Sequence, residues 1–128
     1  MNLEKVIFGF FILFAATLNF GFVYGDIANP DHHHFWEFFA AVVINLIATV
    51  LKFGDRTHIG AVHLASSLVA LLQLAAAGIV WFFAYRANGG ETLSEFDTVS
   101  IVSLASGAFL ANIVSIVIMV VETSLQRR

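Results

Sequence analysis

Apolar residues run along this chain in four long blocks, separated by short polar intervals. Each block is long enough to cross a hydrocarbon core of about 30 Å, which takes about 20 helical residues. The blocks predict helices over residues 3–24, 30–53, 56–87 and 94–126. In lipid every backbone N–H and C=O must be satisfied within the chain, which favours helices. The expected fold is therefore all-α: a polytopic membrane protein with four transmembrane helices in one up-down bundle, making a single domain.

The interruptions carry their own signals. Gly25 follows the first block, where a helix can end in a left-handed residue without Cβ strain. Asn29-Pro30-Asp31 reads as N-cap, N1 and N2, with proline where its missing N–H costs nothing and aspartate at the positive helix end. Gly54-Asp55 reads as a stop followed at once by a new N-cap. Asn88-Gly89-Gly90 ends the third helix, and Ser94-Glu95-Phe96-Asp97 resembles a capping box that starts the fourth. Lys5 precedes an apolar run, as in a secretory signal, but no A-x-A cleavage site follows, so the first block reads as a retained helix.

Composition agrees. Hydrophobic residues make up 59% of the 128 positions, charged residues only 12%, and the mean hydropathy is +0.89. A soluble domain carries about twice that charge. The absence of cysteine excludes disulfides, thiolate metal sites and thiol catalysis. The net charge of −3 and the lack of a basic stripe exclude nucleic acid as a partner. Placement of the bases says more. Lys5, Lys52, Arg56, Arg127 and Arg128 fall on one side of a four-span protein, and Arg86 alone on the other. The positive-inside rule then puts both termini in the cytoplasm.

Within the apolar blocks, polar residues recur at helical spacing. On the second helix His33, Glu37, Ala41, Asn45, Ala48 or Thr49, Lys52 and Arg56 follow steps of three and four, which places them on one face. The third helix supplies His63, Ser66, Ser67 and Gln73, and the fourth Ser100, Ser103, Asn112 and Ser115. Polar side chains inside a membrane are costly and are usually paired or functional. Glu37, Asn45, Thr49, Lys52, Gln73 and Asn112 are accordingly the candidates for a polar stripe or pore lining. Facing inward, Asn45, Gln73 and Asn112 would bond one another. Facing a symmetry axis, they would line a hydrated path. An internal repeat at an offset of 67 residues aligns Asn45-Leu-Ile-Ala-Thr-Val-Leu with Asn112-Ile-Val-Ser-Ile-Val-Ile.

Lipid tails are as apolar as leucine, so membrane helices associate through small residues and interhelical hydrogen bonds. Ser103, Gly107, Ala111 and Ser115 form such a small-residue ridge on the fourth helix. The phenylalanine-rich first helix reads as peripheral and lipid-facing. His32, His33 and His34 with Glu37 offer imidazole and carboxylate ligands suited to a divalent metal. Three consecutive histidines point in different directions, so copies around an oligomer axis would have to complete such a site; no other cofactor is expected. Asp55, Arg56 and His58 form a charged turn that reads as a cytoplasmic anchor, an inner gate or a docking patch. No nucleophile–base pair or phosphate loop is present, and no enzyme is expected.

The runs MNLEKVIFGFFILFAATLNFGFVYGDI and NLIATVLKFGDRTHIGAVHLASSLVALLQLAAAGIVW resemble an uncharacterised family of small four-helix inner-membrane proteins of Gram-negative bacteria, LKFGDRTHIGA being the most specific part. The resemblance implies architecture and compartment, the bacterial inner membrane, but no reaction. Beside metal binding at the periplasmic face through His32, His33 and His34, two functions remain open on the sequence. One is a homo-oligomeric ion channel or transporter lined by the second helix. The other is an accessory or structural subunit of a larger membrane complex, docked through the fourth-helix ridge and the charged turn.

Overall fold

The computed structural model describes residues 3–54 and 57–126. The order of elements is α1 (Leu3–Val23), a 3-10 turn (Pro30–His32), α2 (Phe35–Lys52), α3 (His58–Ala87) and α4 (Glu95–Gln126). All four α-helices are long and apolar enough to cross a membrane, which fits a multi-pass membrane protein.

Two helix starts differ from expectation. Asn29 does act as an N-cap, accepting from the Asp31 N–H at 2.9 Å, but it caps only the 3-10 turn. His33 and His34 then take extended backbone angles, and α2 begins at Phe35 rather than at Pro30. The chain breaks there because the His33 ring is held from α1 and its following loop rather than by its own helix. At the start of α3, Thr57 rather than Asp55 is the N-cap, its hydroxyl accepting from the Gly60 N–H at 2.9 Å. Asp55 and Arg56 lie outside the described residues. The start of α4 carries the first half of a capping box, Ser94 Oγ accepting from the Asp97 N–H at 3.1 Å, while the Asp97 carboxylate accepts from the Ser94 hydroxyl at 2.9 Å in place of the Ser94 backbone N–H.

The helices form a ring in which α1 packs on α2 and α4, and α3 packs on α2 and α4. α1 and α4 run antiparallel, since Lys5 near the start of α1 meets Glu122 near the end of α4. The largest apolar core cluster joins Phe22, Phe38, Leu74, Ile101 and Val102 with Ala41, Ala70, Ala77, Ala105, Ala108 and Ala111. So many alanines let backbones approach closely, the condition for packing helices in lipid. Gly107 shows the same economy, because a Cβ there would sit 3.2 Å from the side-chain amide of Gln73 on α3.

The reading of α1 as peripheral needs correction. Phe10, Phe14 and Phe20 are exposed, as expected of lipid-facing rings, but Phe8, Ile12, Ala15, Ala16, Asn19 and Phe22 are buried. One face of α1 is core, and it carries an asparagine.

Candidate functional site: the internal polar line

The polar residues of α2 point into the bundle that contains them. Ala41, Asn45, Ala48 and Thr49 are all buried, whereas Val43, Leu46 and Val50 on the opposite face are exposed. Asn45 is 1% exposed and Asn112 0%. The Asn112 amide N–H donates to Asn45 Oδ1 at 2.8 Å, crossing from α4 to α2 on the diagonal of the ring. These are the two asparagines that the 67-residue offset aligns. Asn19 Nδ2 on α1 donates to Asn112 Oδ1 at 2.5 Å, and Asn45 Nδ2 donates to the Ala41 carbonyl at 2.7 Å. The Thr49 hydroxyl donates to the Asn45 carbonyl at 2.8 Å. One chain of amides thus ties three helices in the centre of the bundle.

Asn19 was not singled out from the sequence, and it takes the place expected of Gln73. Gln73 lies half-buried against Gly107 and takes no part in the amide network of Asn19, Asn112 and Asn45. The signal for Asn19 was present: an asparagine deep in an apolar block carries the same cost that marks Asn45.

Toward the Glu122 end the line continues. Ser66 on α3 and Ser115 on α4 share a hydroxyl–hydroxyl bond of 2.5 Å, and Ser66 Oγ lies 2.9 Å from the His63 carbonyl. Below them Glu122 bridges Lys5 at 3.1 Å and His63 at 3.4 Å. His63 is 1% exposed and lies edge-on to Phe8, with ring centroids 5.1 Å apart. Lys52 places its ammonium 4.2 Å from the centre of the Phe8 ring, a cation–π contact. Lys5, Phe8, Lys52, His63, Met119 and Glu122 surround a small pocket here.

Toward the His33 end the line stops. Phe22, Phe38, Leu74, Ile101 and Val102 fill the interior. Beyond them His33 is 6% exposed, with Nδ1 2.5 Å from the Phe22 carbonyl and Nε2 2.8 Å from the Asp26 carbonyl.

The remaining candidates separate. His32 Nδ1 accepts from the Asp26 N–H at 2.9 Å, while His34 is exposed and makes no side-chain cap. The Glu37 carboxylate lies over Gly21 of α1, where a Cβ would collide with it. His32, His33, His34 and Glu37 do not converge, and among the described residues no three His, Asp or Glu groups gather as metal ligands. On the α4 ridge Gly107 and Ser115 meet α3 of the same chain and Ala111 is buried, whereas Ser103 is exposed. His58 is exposed beside the undescribed part of the turn.

A family model covers residues 32–123, a span that holds Asn45, His63, Asn112 and Glu122. The chain belongs to DUF6394, a family of unknown function. The DUF6394 match takes in α2, α3 and nearly all of α4, and leaves Lys5 and Asn19 of α1 outside it. No curated protein and no solved structure matches the chain. Membership of an uncharacterised family agrees with the resemblance read from the sequence. Amides and hydroxyls neither titrate near neutrality nor carry charge, so the Asn19–Asn112–Asn45 chain suits fastening rather than proton transfer.

Proposed function

We propose that the chain is a non-conducting structural or accessory component of a membrane assembly, in which the polar line holds its own bundle together. The observation that carries this reading is the inward burial of Asn45, Thr49 and Asn112, bonded to one another and to Asn19. Side chains committed to such bonds are not presented to a shared axis. A path along the axis of the single bundle meets Phe22, Phe38, Leu74 and Ile101 packed against one another. The α4 ridge is largely engaged by α3, so docking would use the exposed faces of the helices instead.

The compartment belongs to the same proposal. We place the Lys5–Glu122 end at the cytoplasmic face of a bacterial inner membrane, on the bias of lysine and arginine.

Flux across liposomes containing the purified protein tests the reading, over a range of salts and pH. Conductance equal to that of protein-free vesicles is expected, together with a partner at fixed stoichiometry after purification from native membranes in mild detergent. Conductance by a purely self-assembled species would overturn it.

A further inference from the structure

At the His33 end of the bundle, a cleft of about 340 Å³ opens between the 3-10 turn, the last turns of α3 and the loop leading to α4. Its size falls in the range of small-molecule sites, about 300–1,000 Å³. Pro30, Asp31, Trp81, Tyr85, Glu91 and Leu93 contribute to its walls.

Trp81 and Tyr85 are one helical turn apart, so both rings project from the same face of α3. Trp81 is held in place by its neighbours, with Phe35 edge-on at 5.5 Å and 88° and Phe38 at 5.3 Å. Its ring therefore needs little ordering when something docks against it. Tyr85 stands beside Gly90, whose positive φ of 82° lets the chain turn back over the helix end. The Gly90 N–H closes that end on the Tyr85 carbonyl at 2.9 Å.

The electrostatics of the cleft have one sign. Asp31 and Glu91 are exposed at its walls, and the negative end of the α3 dipole terminates there. Arg86 lies over the Phe82 ring at 5.6 Å, and neither residue lines the cleft. Aromatic faces attract cations through their quadrupole, and they favour alkylated ammonium groups, which shed water more readily than metal ions do.

We propose that this cleft binds an alkylammonium group, seated on Trp81 and Tyr85 and neutralised by Asp31 and Glu91. The group could be carried by a soluble amine or by the headgroup of a lipid, and the chemistry of recognition is the same. The proposal is independent of the accessory reading above, because it concerns a surface that the polar line does not touch.

The chain has two tryptophans, Trp36 and Trp81, so Trp36→Phe leaves Trp81 as the only indole reporter. Choline is titrated into this variant in nanodiscs of phosphatidylglycerol, which lacks an ammonium group, and Trp81 fluorescence is read against sodium chloride at equal ionic strength. A saturable change specific to choline is expected. Adding Asp31→Asn and Glu91→Gln should raise its midpoint by about tenfold or remove saturation, since the charges facing the cation are gone. In nanodiscs of phosphatidylethanolamine, a response already saturated before choline identifies the lipid headgroup as a source. A response that still titrates identifies a soluble amine. No saturable response in phosphatidylglycerol, or the same midpoint without the two carboxylates, would overturn the proposal. Both substituted carboxylates are exposed, and far-UV circular dichroism verifies that the variant remains helical.

Discussion

The two halves of the bundle interior are built on different principles. Toward Glu122 the helices are joined by directed polar contacts: Asn19 to Asn112 to Asn45, Ser66 to Ser115, and Glu122 to Lys5 and His63. Toward His33 the helix interiors are joined chiefly by shape, with Phe22, Phe38, Leu74, Ile101 and Val102 interlocked among alanines and the His33 ring tied to the Phe22 and Asp26 carbonyls beyond them. Lipid supplies no strong hydrophobic drive between helices, so the apolar half depends on dispersion and fit. The polar half instead fixes register, because an amide satisfied at one height is stranded at another. A bundle with both is specified at one end and filled at the other.

That contrast is broken most severely at Asn112, the residue bonded to two other helices. Asn112→Leu strands Asn45 Oδ1 and Asn19 Nδ2 together, each at a cost of about 1–3 kcal/mol. A loss of about 2–6 kcal/mol in reversible unfolding from mixed micelles is expected. A loss no larger than that of an exposed control would show that the amides are ornamental. In the apolar half Leu74→Ala should cost on the order of 2 kcal/mol, chiefly through the cavity it leaves. The same unfolding experiment measures it, and unlike Asn112→Leu it should leave helix register unchanged by spin-label distances.

A smaller effect separates one interhelical bond from a network. Ser115→Ala removes only the bond to Ser66 and should cost about 0.6 kcal/mol, the average for such bonds in one membrane protein. Smallest of all, Ser103→Ala lies on the same ridge but is exposed, and should stay within about 0.5 kcal/mol of the parent. Equal effects at Ser103 and Ser115 would mean that the whole ridge, not its buried part, is the packing surface.

How much of this could be read from the sequence follows the same division. The helices were legible because apolar length is a direct consequence of bilayer thickness. The inward line on α2 was legible as a stripe, since Asn45 and Thr49 fall at helical spacing. Whether that stripe faces water, an axis or its own bundle was not legible, because periodicity is blind to what satisfies it. Asn19 was hidden by its phenylalanine neighbours, which suggested a lipid-facing helix although Phe8 and Phe22 face inward. The break before Phe35 was hidden too. Proline and aspartate signal a helix start, but only the reach of His33 to the Phe22 and Asp26 carbonyls shows that the first turn is separate.

The polar line of α2 is buried within its own bundle, with Asn45 bonded to Asn112. The natural chain has no cysteine, so thiols can be placed without background. Asn45→Cys alone, and Asn45→Cys with Asn112→Cys, are treated in membranes with dibromobimane, a short bridge between two thiols. The double variant should become fluorescent at the mobility of one chain, and the single variant should give no cross-linked dimer. A dimer from Asn45→Cys alone, with no bridge inside the double variant, would place α2 at a shared axis and contradict the inward assignment.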